Sequence, residues 1–238
     1  MNNNSNESLQ ILMPAHNEGK SLEETIIKIY DVVKSKISFS FIICEDGSTD
    51  DTVEILNRLK LKYPIILLSH PTKKGYSNAV IDGIKRATAD YLLVMDSDGQ
   101  CDPKEIFKFW DNRKNADVIN GNRVPREDFL YRRYFSNFAY FIYKLFFNVK
   151  LNDPSVAFAL MNKKVYSSLS NFKPQMPDGF FWEFNARALR KGFTSLEVNI
   201  VHKKRKYGNT KIFHFYRLPK IAFINLKGLI NVKFFSKD

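Results

Sequence analysis

The sequence predicts an α/β fold built on a mostly parallel central sheet flanked by helices, and three observations predict it. Short apolar runs alternate with amphipathic stretches of helical period, at a spacing of roughly 25 residues. Polar motifs fall at the C-terminal ends of the apolar runs, where open parallel sheets bind their ligands. The chain has 238 residues, 44% of them hydrophobic and 26% charged, enough for one large domain with a sizeable core.

The elements follow in order. Residues 1–7 read as a disordered tail. Leu9–Met13 forms a strand that stops at Pro14, and a helix over residues 21–34 shows its period through Leu22, Ile26, Ile29 and Val33. Ser21, with Glu24 three residues on, supplies an N-terminal capping pattern. Phe39–Cys44 is a second strand, followed by a helix through Val53, Leu56 and Leu59. Ile65–Leu68 is a third strand, and Lys73-Lys74-Gly75 leads into a helix reaching Arg86. Tyr91–Met95 and Asp117–Asn120 are the fourth and fifth strands. Strand–helix–strand repeats of this kind imply crossover connections and parallel pairing.

Charge is unevenly spread. The formal net charge is +12, yet residues 1–118 sum to −3 and residues 119–238 to +15. That asymmetry calls for an anionic partner of the second half: phosphate groups, an anionic membrane surface or nucleic acid. Cys44 and Cys101 form no disulfide framework and no zinc spacing, which fits a reducing, cytoplasmic setting. The polar start Met1–Gln10 does not resemble a signal peptide, and no stretch approaches the roughly 20 apolar residues of a bilayer span. The expected location is the cytoplasm, at the cytoplasmic face of a membrane.

The chemistry centres on Asp96-Ser97-Asp98-Gly99-Gln100, directly after the fourth strand. Two carboxylates one residue apart can converge on one volume, and Gly99 permits the turn between strand and loop. The oxygens of Asp96, Asp98 and Gln100 are hard ligands suited to Mg²⁺ or Mn²⁺; the plainer reading is an acidic turn before the next helix. Neither G-x-x-x-x-G-K-[ST] nor G-x-G-x-x-G follows the first strand. A nucleotide here would be held by a metal on its diphosphate and by acidic contacts to ribose and base. That is the logic of a nucleotide-sugar site.

Four motifs carry a family resemblance: Pro14-Ala15-His16-Asn17-Glu18, Glu45-Asp46-Gly47-Ser48-Thr49-Asp50, Asp96-Ser97-Asp98-Gly99-Gln100 and Gly121-Asn122-Arg123. In order and spacing they resemble family 2 glycosyltransferases, most of all the dolichyl- or polyprenyl-phosphate sugar transferases, across about residues 8–215. The resemblance implies a GT-A fold, a nucleotide-sugar donor (GDP-, UDP- or dTDP-linked), Mg²⁺ or Mn²⁺, and inversion at the anomeric carbon. It places Pro14, Ala15 and Glu18 in the nucleoside pocket and Asp46 on the base. Asp96, Ser97 and Asp98 fall at the donor diphosphate, with Asp96, Asp98 and Gln100 on the metal. Glu45 stands where the family often has Asp.

In the second half, aromatic residues crowd residues 131–147, more than one core-facing helix stripe requires. With Arg123, Arg126, Arg132 and Arg133 nearby, an interfacial helix beside a lipid phosphate is one reading, and a core helix with solvated arginines the other. The resemblance matches Arg123 and Arg133 to acceptor-phosphate arginines. In Asp153-Pro154-Ser155-Val156-Ala157-Phe158-Ala159, Asp153 is kept, while Ala157 and Ala159 replace a family Gly and a basic residue. Glu183 matches a Glu facing the reaction centre, with a buried Arg ion pair as the alternative. Arg205-x-x-Gly208-x-Thr210-Lys211 fits a loop that closes over the diphosphate, bringing Arg205 and Lys211 to the donor.

The expected organisation is a GT-A domain over 8–211, with a nucleotide-sugar half (8–122) and an acceptor half (123–211), then an amphipathic segment over 212–238. That segment either lies on a membrane or packs back on the domain. The expected reaction moves a sugar to a lipid phosphate at the membrane surface. A hydroxyl acceptor in a glycan or glycolipid, with Asp153 or Asp178 as base, is the first alternative. A non-catalytic nucleotide- or nucleic-acid-binding module is the second, although no nucleic-acid motif is present.

Overall fold

A computed structural model describes residues 7–124, 140–147, 151–177, 179–203 and 218–236. Seven strands form one sheet: β1 (Leu9–Ala15), β2 (Phe39–Asp46), β3 (Ile65–His70), β4 (Tyr91–Met95), β5 (Val118–Arg123), β6 (Phe158–Asn162) and β7 (Ser195–Ile200). Their order is β3-β2-β1-β4-β6-β5-β7. The helices are α1 (Gly19–Val33), α2 (Thr52–Leu59), α3 (Tyr76–Arg86), α4 (Glu105–Asn112), α5 (Lys163–Ser168), α6 (Phe180–Arg190) and α7 (Leu218–Phe234). Residues 140–147 are also helical.

β1 and β4 read as continuous apolar runs because both faces of the sheet are covered. Leu9, Ile11 and Met13 point into a core beneath α1, α2 and α4, whereas Leu12 points into a second core with α3, α5 and α6. The stripe Leu22, Ile26, Ile29 and Val33 seals α1 on the first core, as its period predicts. The expected α/β, mostly parallel architecture is therefore observed.

β6 departs from the expected parallel order. It runs antiparallel between β4 and β5, with Met95 opposite Phe158 and Val118 opposite Met161. An antiparallel strand enters where its neighbour ends, so the segment before β6 lies at the C-terminal end of β4. Asp153, in that segment, meets Arg123 at the end of β5.

The C-terminal segment forms one helix across Pro219 and Gly228. Leu229 and Val232 of α7 pack with Tyr143, Met176 and Ala186 of α6. A side chain at Gly228 would meet Met176 Cγ at 2.5 Å, so a glycine is what allows this approach. Phe223, Phe234 and Phe235 stay on the outside, 62–71% exposed. The segment thus packs on the domain along one face and leaves an apolar face uncovered. Among the described residues, no helix is long and apolar enough to cross a membrane.

Candidate donor-binding site

The predicted motifs gather at one edge of the sheet because β1, β2, β4 and β5 all end there. Asp96 follows Met95 directly, and Gly99 turns the loop with φ +73°. Asp98 is 7% exposed, and its Oδ1 accepts the Gln100 N–H at 3.1 Å, a local turn of the kind Asp favours. Ser97 Oγ donates to the Pro14 carbonyl at 3.0 Å, tying the tips of β4 and β1 together. Asp96 Oδ1 accepts the Tyr76 hydroxyl at 3.0 Å.

Both carboxylates act electrostatically on the same neighbours. Burial pushes the Tyr76 phenol well above its ordinary value, and the charges of Asp96 and Asp98 push it further. The half-buried Cys101 thiol is raised the same way, by desolvation and then by Asp96, Asp98 and Glu105, while Arg123 opposes the shift. The acidic pair and Arg123 therefore act on one point from different strands.

Two carboxylates suit a hard divalent cation whose remaining positions are taken by substrate phosphates and water. Among the described residues, no group of three His, Cys, Asp or Glu side chains is placed to hold a metal ion. Gln100, expected as a further ligand, uses its side-chain N–H on the Lys203 carbonyl at 2.8 Å, and its own carbonyl accepts the Lys203 N–H at 2.8 Å. Cys101 and His202 form an adjoining β-bridge. Gln100 thus pins the chain that follows β7 against the acidic loop. Arg205 and Lys211 come shortly after that anchor; they, Arg133 and Asp178 lie outside the described residues.

The first two motifs are laced to each other. Asn17, at φ 55°, accepts the Thr49 N–H at 2.8 Å and donates its own N–H to Ser48 Oγ at 3.0 Å. The Glu18 N–H reaches Thr52 Oγ1 at 3.1 Å, and Glu18 Oε2 accepts Ser21 Oγ at 2.9 Å. Pro14 and Ala15 are buried at the end of β1. Glu45 is also buried; Ser48 N–H and Ser69 Oγ donate to its two oxygens, bracing β2 against β3. Asp46, expected on the base, receives the backbone N–H groups of Lys74 and Gly75.

Arg123, at the end of β5, forms a two-pronged pair with Asp153, Nε to Oδ2 at 2.7 Å and Nη2 to Oδ1 at 3.1 Å. Ser155 Oγ joins both partners. Glu197 of β7 fixes this loop by accepting the N–H groups of Asn152 and Asp153, at 2.6 and 2.8 Å. Burial raises the Glu197 carboxyl, with these hydrogen bonds opposing.

Glu183 corrects an expectation. It is 0% exposed and turned into the protein, where Oε1 pairs with Arg187 at 2.8 Å. Its Oε2 accepts the N–H groups of Gln175 and Met176 at 2.7 and 2.9 Å. This is the buried ion pair that was the alternative, and its oxygens hold α6 and the preceding loop. Tyr76 is the site residue that sequence reading missed. A tyrosine opening the helix after the third strand, at the ligand-binding edge, was the available signal.

Residues 10–170 match the model of glycosyl transferase family 2. The chain belongs to that family. Its GT-A architecture agrees: glucosyl-3-phosphoglycerate synthase from Mycobacterium tuberculosis, solved with Mn²⁺, uridine diphosphate and phosphoglyceric acid, superposes with a TM-score of 0.74. That likeness spans 98% of this chain and 81% of the other at 14% identity. A dolichol-phosphate mannosyltransferase from Pyrococcus furiosus is 33% identical over 119 residues, 50% of this chain and 34% of that protein. A poly-β-1,6-N-acetyl-D-glucosamine synthase from Staphylococcus aureus is 28% identical over 119 residues, 49% of this chain and 28% of that protein. The matched segment thus spans about a third of the length of these curated relatives.

Proposed function

We propose that this chain transfers a sugar, with inversion, from a nucleotide-sugar donor to a lipid-phosphate acceptor at the cytoplasmic face of a membrane. The observation that carries the reading is the placement of Asp96 and Asp98 directly after β4 and of Arg123 at the end of β5, at one edge of the sheet. Anionic and cationic groups there face one edge of the sheet, the arrangement needed to hold a diphosphate leaving group beside an anionic nucleophile.

Asp96 and Asp98 would hold Mg²⁺ or Mn²⁺; when bound, the cation would offset charge on the leaving diphosphate. The loops after β1 and β2 form the nucleoside end, with Pro14, Ala15 and Glu18 lining it. Arg205 and Lys211 would serve the diphosphate, and Ser97 holds the β4 tip in register with β1. Arg123 and Arg133 receive the acceptor phosphate, whose oxygen is already anionic near neutral pH, so no side chain must remove a proton. Asp153 supports this choice: both of its oxygens are already engaged, one by Arg123 and the other by Arg123 and Ser155. The relative named dolichol-phosphate mannosyltransferase supports it as well.

The membrane part of the reading is supported by the uncovered face of α7 and the helical segment 140–147. Phe141, Leu145, Phe223, Phe234 and Phe235 are exposed there, with Lys144, Lys220, Lys227 and Lys233 among them. Aromatic rings beside lysines suit an anionic bilayer surface. The S. aureus relative supports a second reading, transfer to a glycan hydroxyl.

The test is a screen of radiolabelled GDP-, UDP- and dTDP-sugars with polyprenyl phosphate in anionic vesicles and Mn²⁺. The expected product is lipid-soluble and releases its sugar in mild acid, as a glycosyl phosphate should. An acid-stable product formed only on a glycan would favour the second reading. Absence of transfer to any acceptor, together with absence of donor hydrolysis, would contradict both.

A further inference from the structure

Tyr76 opens α3 directly after Gly75, and its hydroxyl reaches Asp96 Oδ1 at 3.0 Å. The loop that delivers it is fastened from three directions. Asp46 Oδ1 accepts the Lys74 N–H at 2.7 Å and Asp46 Oδ2 the Gly75 N–H at 2.8 Å, so both oxygens of this carboxylate grip the loop backbone. Gly47, at φ +64°, lies against the same loop: a Cβ there would stand 2.6 Å from Lys73 N and from the Thr72 carbonyl carbon. Only a residue without a side chain lets the two backbones touch in this way. On the far side, Ser77 Oγ donates to the carbonyls of Met176 and Pro177 at 3.1 and 2.9 Å.

This fastening has a consequence for Asp96. A carboxylate at a strand tip can rotate, and a ligand that must be immobilised at each binding event binds more weakly than one already held. A phenol O–H on one oxygen fixes the rotamer and leaves the carboxylate charge in place. Donors that orient a ligating group in this manner are worth about 10–100-fold in metal affinity.

We propose that Tyr76 is a positioning residue for Asp96, and that Asp46 acts on the same carboxylate through the 73–76 loop. The proposal rests on the reading of Asp96 as a metal-holding group.

The experiment titrates Mn²⁺ alone, without nucleotide, into the full chain and follows free Mn²⁺ by electron paramagnetic resonance. Wild type is compared with Tyr76→Phe, Asp46→Asn and Tyr166→Phe. The last is a control, since Tyr166 is a buried tyrosine whose hydroxyl bonds the Ala89 carbonyl, away from the site. Thermal melting of each variant is recorded alongside. Tyr76→Phe and Asp46→Asn are expected to bind Mn²⁺ about tenfold more weakly, with Tyr166→Phe unchanged. Wild-type affinity in Tyr76→Phe would overturn the positioning role. Wild-type Mn²⁺ affinity in Asp46→Asn, with nucleoside diphosphate binding lost, would show a direct base contact and overturn the second half of the proposal. Equal weakening in Tyr166→Phe would reduce the effect to general loss of stability and overturn it too. If wild type bound Mn²⁺ neither alone nor with nucleoside diphosphate, the donor-site reading would fail and this inference with it, whereas an unweakened Tyr76→Phe overturns this inference alone.

Discussion

Replacing Glu183 with Gln distinguishes a structural carboxylate from one that faces the reaction. Glu183 is 0% exposed and Arg187 2% exposed, so neither charge has water to fall back on. One Glu183 oxygen accepts two bonds from Arg187, and the other accepts two backbone N–H groups. Glutamine can keep an oxygen on only one side; its NH₂ must then face either the guanidinium or the Gln175 and Met176 N–H groups. Arg187 retains Ser236 and the face of the Phe172 ring, with the guanidinium 4.5 Å from the ring centroid, but neither offsets its charge. Breaking one side of a buried pair costs about 3–5 kcal/mol. At roughly 2–4 °C per kcal/mol for a chain of this size, the melting temperature should fall by about 6–20 °C. Thermal unfolding followed by circular dichroism measures this, with turnover per folded molecule measured well below the transition. The expected result is a large loss of stability with turnover largely kept. An unchanged melting temperature with turnover abolished would refute the reasoning and return Glu183 to the reaction centre.

Further outcomes follow from the same geometry. Arg123→Lys keeps the charge but loses the two-pronged pair with Asp153 that orients it, and transfer to polyprenyl phosphate should fall by roughly tenfold or more, more than donor hydrolysis does; equal losses in both assays would exclude an acceptor role. Burial pushes the Cys44 thiol up to about 12 and the Cys101 thiol further. At pH 8 both should therefore alkylate with iodoacetamide about a thousandfold more slowly in the native protein than in urea, as mass spectrometry would show. Asp117 ties β5 to Thr194 and Asn162, and these hydrogen bonds lower its carboxyl. A depressed native value means that its contribution is present at neutral pH and is lost as pH falls. Asp117→Ala should therefore cost about 1 kcal/mol at pH 7, discounted for solvent screening, with the difference from wild type shrinking below about pH 4 in urea unfolding.

The sheet was legible in its first half because buried parallel strands write themselves as apolar runs. Leu9–Ala15, Phe39–Asp46 and Tyr91–Met95 fall where the sequence predicts strands, extended at most by two residues. β6 was not legible. Phe158-Ala159-Leu160-Met161-Asn162 has no β-branched residue, and only its insertion between β4 and β5 makes it a strand. Pro219 and Gly228, residue types that commonly break helices, both lie within α7. Pro219 occupies the first turn of α7, where a missing N–H costs nothing, and Gly228 faces Met176. The acidic pair and its neighbours could be placed from motif order and topology together. The hydrogen-bond partners of Asp46, Gln100 and Glu183 could not, because each is supplied by a residue far along the chain or by a loop conformation. Motif spacing shows which residues reach an edge of the sheet, and not what their oxygens find there.

The most direct test of the donor site is nucleoside diphosphate binding by calorimetry, with and without Mn²⁺, in wild type and Asp98→Ala. The account predicts metal-dependent binding in wild type and its loss in the variant, with the melting temperature preserved. Equal binding by the two proteins, or binding indifferent to the metal, would contradict it.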